Sequence, residues 1–485
     1  MKLKHNILII SFIEGATVMA IEIGSSKLLS PVFGSSLNVW SSVLAITLLG
    51  LACGYFIGGK LSEKEHIKKT LSLILLISVV VIFLMPQFAK FIAIIAIQLP
   101  LLPAVIASSS LLIIPSIVIL STTSPILISL LTTDVKSSGA NSGKIYAIST
   151  LGGIVATFTC GFYLIPSFGV TNTLYLFSAF LSCSLLLLLE KKKDKLFFLI
   201  SISLFPLFIF FSKKSPTNSL IKYNSDGMLG KIEVIDKRID SINTIRLLLV
   251  NHIVQSEQNL KTKLSTSDYI HIIEKNIDCL PNKKALVLGL GAGLSANMLV
   301  KNNYKTTAVE IDERIIFAAK TYFNLDSTVQ TICSDARVYI NQCQEKYDFI
   351  MFDIYKAEEQ PSHVISKESL RKLKLMLHKN AFIAINTHGY LEGKIGLGTQ
   401  CLLATLKQAG FNLKICTSNS NPHYRNLIIF ASESPLKENL YDEINFSITD
   451  SLLINTDDKP VLEKLNAEAS KTWRLHYIQN ASYIN

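Results

Sequence analysis

Before about residue 212 the chain is a series of apolar runs long enough to cross a bilayer; beyond that point charge, turns and alternating patterns take over. No other feature constrains the fold as much. Crossing ~30 Å of hydrocarbon takes ~20 apolar residues as a helix, which satisfies its own backbone hydrogen bonds. Good candidates lie at 7–30, 40–59, 70–86, 105–131, 144–166 and 171–189, with weaker ones at 88–103 and 196–211, the last interrupted by Pro206. Composition agrees: 49% of residues are hydrophobic and only 17% charged, against about a quarter charged in soluble domains. Residues 1–212 therefore read as a multi-helix transmembrane bundle of six to eight spans, with the lipid bilayer as its partner.

The net charge of +11 is explained by this topology. Lys2, Lys4, Lys60, Lys68, Lys69, Lys191 to Lys193, Lys195, Lys213 and Lys214 flank apolar runs. Positive loops stay on the cytoplasmic side. The N-terminus, the 60–69 loop and the 190–195 loop are thus expected inside, in a multi-pass inner-membrane protein whose C-terminal domain faces the cytoplasm. No basic stripe interleaved with aromatics is present, so no nucleic-acid partner is expected. The eight cysteines include no CxxC pair, so neither a zinc site nor a disulfide framework is signalled and no metal is expected. The first apolar run carries Glu14 and Glu22 and leads into further spans, so it reads as a span rather than a cleaved leader.

Two features in this half go beyond hydrophobicity. Gly50, Gly54 and Gly58 share one helix face, where missing side chains let a neighbouring backbone approach. Glu14 and Glu22 fall on roughly the same side of the first helix. A carboxylate at membrane depth serves either a cation or polyamine path, or helix packing as a neutral hydrogen-bonded acid.

Residues 213–265 hold short strand patterns (MLGKIEVIDK, INTIRLLLV, NHIVQ) and read as a small β-subdomain. Residues 266–485 alternate strand and helix patterns, with strands at 284–290, 306–311, 329–334, 347–353 and 381–387, then 411–416 and 425–431. Such alternation means an α/β, Rossmann-like domain with a parallel sheet. Its ligand is expected outside the carboxyl ends of the strands, at the topological switch point.

The chemistry-bearing residues stand at those ends. Gly289, Gly291 and Gly293 follow the first strand, where glycines permit a tight turn and close approach of a ligand. Glu310 ends the second strand and can accept hydrogen bonds from ribose hydroxyls. Asp335 ends the third, where it either meets an adenine amino group or caps the next helix. Asp353 ends the fourth, a candidate general base or alternatively a cap, with Tyr355 close behind. Asp348, at the start of that strand, reads as structural.

On these residues the chain resembles the spermidine synthases, the polyamine aminopropyltransferases, and in particular bacterial proteins in which a membrane bundle precedes such a domain. The segments that carry the resemblance are VNHIVQSE, SDYIHII, VLGLGAGLSA, AVEIDERII, SDARVYI, DIYKAEEQPSHVISKESL and NTDDKPVLE. It implies a domain of the S-adenosylmethionine methyltransferase type. Glu310 would hold the ribose and Asp335 the adenine. Gln255 would meet the thioether side of the nucleotide or the amine, Tyr269 would line the acceptor site, and Asp353 would deprotonate the attacking amine. The implied co-substrate is decarboxylated S-adenosylmethionine, or S-adenosylmethionine itself, and the implied acceptor is a putrescine-like polyamine. A homodimer is left open. Two departures stand out. Ala292 occupies the glycine-loop position where synthases carry an acid, and QPSHVIS replaces the usual glycine-proline-alanine run. The expected reaction is aminopropyl transfer; the alternatives are methyl transfer, or a polyamine transporter or sensor with a nucleotide-binding domain.

Overall fold

The computed structural model describes residues 2–33, 37–96, 101–188, 220–227, 229–240, 243–277, 283–355, 360–419, 421, 425–448 and 453–480. It divides into two compact units, Met1–Asn218 with Asp226–Gly230, and Ser219–Ser225 with Lys231–Asn485.

The first unit is helical: α1 (Lys2–Phe33), α2 (Leu37–Leu61), α3 (Ile67–Ala96), α4 (Leu101–Ser121), α5 (Thr123–Leu131), α6 (Ser138–Thr159) and α7 (Ile165–Leu186). Among the described residues, five stretches are long and apolar enough to cross a membrane: Lys4–Ser30, Val39–Leu61, Ile67–Ala89, Leu102–Leu131 and Val135–Leu186. The last is 52 residues long, far more than one crossing needs. It breaks at Gly169, whose backbone is not helical, and its two arms coincide with the apolar runs at 144–166 and 171–189. The weaker run at 88–103 is not a separate element at its start: α3 continues through Pro86 to Ala96. The run at 196–211 and the 190–195 loop lie outside the described residues.

The Gly50, Gly54 and Gly58 face packs on α4 and the start of α5. A methyl group at Gly58 would press on the Thr122 backbone, and one at Gly54 on Ser121 and the Val118 carbonyl. Glu14 is buried and accepts hydrogen bonds from Ser149 of α6 (2.9 Å) and Ser124 of α5 (3.3 Å). The acid thus ties three helices together.

The second unit opens with an antiparallel four-stranded sheet, β1 (Ile221–Ser225), β2 (Ile232–Arg238), β3 (Thr244–Val250) and β4 (Ile253–Asn259). The larger sheet contains β5 (Lys283–Leu288), β6 (Tyr304–Glu310), β7 (Gln330–Cys333), β8 (Tyr347–Phe352), β9 (Leu377–His388), β10 (Asn412–Thr417), β11 (Asn426–Ser432) and β12 (Glu443–Ile444), in the order β12-β10-β11-β9-β8-β5-β6-β7. Strands β5 to β9 run parallel, and their apolar side chains pack on both faces of the sheet. The sheet is mixed, not parallel throughout: β11 adds antiparallel beside β9, β10 antiparallel beside β11, and β12 antiparallel beside β10. A fully buried strand is apolar on both faces whichever way it runs, so its direction is hidden from the pattern.

This order matters for the site. The chain lays down β5, β6 and β7 in one direction, then crosses back to place β8 on the other side of β5. The switch point falls between β5 and β8, where a cleft opens at the strand ends.

Candidate active site

The glycine loop leaves β5 at this switch point. The Asp353 amide donates to the Leu288 carbonyl at 2.9 Å, and the Gly289 amide donates to the Val309 carbonyl at 2.9 Å. Gly289 has a φ of 90°, a region that suits glycine. A Cβ there would collide with the Asp353 carbonyl oxygen. Glycine at this position therefore lets the ends of β5 and β8 close together. The loop then turns into α9 (Leu294–Lys301).

Ala292 is fully buried, and its amide donates to the Ser256 hydroxyl of β4 at 3.1 Å. The small sheet thus supports the loop. Beside Ser256, the pairing of β3 with β4 skips Gln255: Leu248 faces Ser256 and Leu249 faces Val254. Gln255 is the extra residue of a β-bulge, a device that re-aims a side chain. Its amide nitrogen is 3.4 Å from the Ile253 carbonyl.

Glu310 is buried at the end of β6. One carboxylate oxygen accepts from the Leu290 amide at 3.1 Å and the other from the Asp312 amide at 3.0 Å. Burial raises its pKa above the ordinary value, opposed by the amides of Asp312, Leu290 and Gly291. Asp335 follows β7 and caps α11 (Ala336–Gln342): its Oδ1 accepts from the amides of Arg337 (2.8 Å) and Val338 (3.1 Å). Its Oδ2 lies 3.4 Å from Nε2 of His363. The capping role read from the sequence is realised, and the second oxygen is free of it.

Asp353 follows β8, partly exposed. Its Oδ2 accepts from the Tyr269 hydroxyl at 2.8 Å and its Oδ1 from the Asn386 amide at 2.9 Å. Tyr269 stands on the first turn of α8 (Asp268–Asn276). Burial raises the Asp353 pKa, with the bonds from Asn386 and Tyr269 pulling it back. Burial and the Asp353 charge hold the Tyr269 hydroxyl well above its usual range, so the phenol remains a donor. Tyr355 donates to the Asn386 carbonyl at 3.0 Å and accepts from Gln360 at 3.3 Å.

Gly289 to Gly293, Glu310, Asp335 and Asp353 thus leave four adjacent parallel strands at the same end of the sheet. The structure adds Ser256, Asn386, Gln360 and His363, which the sequence reading did not single out. Asn386 left one signal: a polar residue ending the apolar run AFIAI at the carboxyl end of a strand. Asp348 donates nothing to the cleft; it accepts from the Lys284 amide at 2.8 Å at the far end of β5. The NTDD segment holds the QPSHVIS segment in place. Asn455 donates to the carbonyls of Ser362 (2.8 Å) and Ile365 (3.1 Å), and Asp457 pairs with Arg337 at 2.6 Å.

Residues 269–443 match the family model of the spermine/spermidine synthase domain. Among curated proteins, a polyamine aminopropyltransferase of Vibrio vulnificus (strain CMCP6) is 31% identical over 112 residues, 22% of this chain and 38% of that one. A polyamine aminopropyltransferase of Thermoplasma acidophilum is 24% identical over 183 residues, 36% of this chain and 66% of that one. An N-terminal histidine N-methyltransferase of Emericella nidulans is 26% identical over 156 residues, 31% of this chain and 28% of that one. The chain therefore spans less than two thirds of the length of each of these relatives. Among solved structures, spermidine synthase from Thermotoga maritima is matched over 53% of this chain and 88% of that one, at 14% identity and a TM-score of 0.36.

Proposed function

From the premise that residues 269–443 are a spermidine-synthase-like domain, we propose that this protein is a membrane-anchored transferase. It moves an aminopropyl group from decarboxylated S-adenosylmethionine to a diamine or polyamine of the putrescine type. The observation that carries this reading is Asp353: a carboxylate at the switch point, beside the glycine loop, with one donor on each oxygen.

The neutral amine nitrogen of the acceptor attacks the aminopropyl carbon bound to the sulfonium. A C–N bond forms, the C–S bond breaks, and its electron pair stays on sulfur as the neutral thioether of methylthioadenosine. The nitrogen then carries an extra proton, which Asp353 accepts. Burial raises the pKa of Asp353, which brings a carboxylate closer to the operating pH of a useful base. Glu310 holds the ribose hydroxyls with the lone-pair capacity that the loop amides leave over. Asp335 offers Oδ2 to the adenine amino group. Gln255 and Tyr269 border the reacting end, and Tyr355 lines the acceptor side. The carboxylates along one rim favour a polycationic acceptor, and in-line orientation supplies much of the rate.

In this reading the apolar helices anchor the protein in the inner membrane with the domain in the cytoplasm, which the basic residues flanking the apolar runs support. The test is product analysis: full-length protein with decarboxylated donor and putrescine should release methylthioadenosine and a longer polyamine. No product with any diamine would overturn the reading.

One observation favours a second reading. Ala292 puts no charge in the glycine loop, and one relative carries the name of a methyltransferase. A donor that keeps its carboxylate would suit such a loop. Calorimetry with the two donors separates the readings: tighter binding of the decarboxylated form supports aminopropyl transfer, and preference for S-adenosylmethionine supports methyl transfer.

A further inference from the structure

Three neighbouring strands, β8, β9 and β11, converge behind the Asp353 carboxylate. Phe352 pairs with Ile385 in parallel register, so the next residues, Asp353 just past the end of β8 and Asn386 still within β9, stand side by side. On the far side Ile428 pairs with Asn386, which brings Asn426 within reach diagonally. Asn386 is buried, and every polar group of its side chain is used. Its Nδ2 donates to Asp353 Oδ1 at 2.9 Å, and its Oδ1 accepts from Asn426 Nδ2 at 2.9 Å. Its backbone carbonyl accepts from Tyr355 (3.0 Å) and Gln360 (2.8 Å).

The amide has one workable orientation. An ionised carboxylate only accepts hydrogen bonds, so the group facing it must be the NH₂. A flipped amide would set oxygen against oxygen at Asp353 and NH₂ against NH₂ at Asn426. The carboxylate therefore sets the orientation of Asn386, and Asn426 donates to the oxygen on its far side.

We propose that Asn386, supported by the hydrogen bond from Asn426, is the positioning residue that holds the Asp353 carboxylate in one orientation and favours its ionised form. Asn386 acts through Asp353 rather than on substrate. The titratable groups facing Asp353 are Tyr269 from α8 and Tyr355 from the segment after β8. Tyr269 serves the other oxygen, so the two donors act on separate atoms and their effects are separable. This inference rests on the reading of Asp353 as the base, but its test does not depend on turnover.

The test follows the infrared carbonyl band of protonated Asp353, identified as the band that Asp353→Asn removes, through a pH titration of the full-length protein. Losing one donor to a charged acceptor is expected to raise the titration midpoint by about one pH unit in Asn386→Leu. Asn426→Leu, which leaves Asp353 untouched, should raise it by a smaller amount. If Asn386→Leu does not fold, Asn426→Leu carries the test. An unchanged or lowered midpoint in the folded variants overturns the proposal. In turnover assays the acid limb of the rate profile should move with the band, and kcat should fall more than KM rises. A band that shifts in a protein forming no product would leave Asn386 in place and sink the aminopropyl reading instead.

Discussion

The Tyr269 hydroxyl donates to the Asp353 carboxylate at 2.8 Å, joining the first turn of α8 to the end of β8. Its pKa is raised well above the usual phenol range, so the tyrosine is a donor throughout the working pH range. Removing it in Tyr269→Phe takes a hydrogen bond from the ionised form of Asp353 and raises that carboxyl's pKa further. The base is then lost at a higher pH on acidification. The acid limb of kcat/KM is expected to shift upward by about one pH unit. A profile that falls in height without moving would contradict this role.

Asp353→Asn keeps the shape of the side chain and removes the proton acceptor. The turnover rate is expected to fall by about 10²–10⁴-fold, the usual worth of a general base. Affinity for the adenosyl nucleotide, measured by calorimetry, should change little, because Glu310 and Asp335 stand on other strands.

Glu310→Ala removes the acceptor for the Leu290 and Asp312 amides. The glycine loop loses its brace, and buried donors lose a partner at a cost of about 1–3 kcal/mol. Lower thermal stability and loss of nucleotide binding are expected together. Stability unchanged alongside lost binding would show that Glu310 serves the ligand alone.

Gly289→Ala should be more damaging than its size suggests. The added methyl group meets the Asp353 carbonyl at a backbone angle of +90°. Strain of this kind costs about 1–3 kcal/mol, and the strand ends must also part. Circular dichroism melting of the variant should show a lower midpoint, and the rate should fall with it.

Glu233 gives a pH-dependent prediction away from the site. Burial alone would raise its carboxyl, but the hydrogen bond from His252 and the charge of Lys231 outweigh this and hold it at about 2, from an ordinary 4.5. A depressed folded-state value stabilises the fold above the unfolded value and loses that effect as pH falls through the folded one. The melting difference between the wild type and Glu233→Gln should therefore be full above pH 4.5 and shrink between 4.5 and about 2.

The parts of the chain legible in the sequence are those set by local pattern. The apolar runs mark the helices because a span is a property of some 20 consecutive residues. The Gly50, Gly54 and Gly58 face is legible because small residues at helical spacing leave a groove, here filled by α4 and the start of α5. The glycine loop and the three carboxylates could be placed because each ends a strand, and parallel strands share a rim. What stayed hidden depends on partners far along the chain. Asn386 matters because Asn426 and Asp353 flank it in the sheet, and no local pattern announces such neighbours. Ser256 supports Ala292 across 36 positions. The reversal of β11 was hidden because it is buried along its length, and the direction of such a strand leaves no mark on its composition. The apolar runs at 70–86 and 88–103 read as separate, yet α3 continues from the first into the second through Pro86.

The most direct test of the account is the fate of the donor's sulfonium carbon. Full-length protein in detergent or nanodiscs is incubated with decarboxylated S-adenosylmethionine and putrescine, and the products are separated by chromatography. The account predicts methylthioadenosine and spermidine in equal amounts, both lost in Asp353→Asn. Absence of methylthioadenosine with every diamine, from protein that still binds the nucleotide, would contradict it.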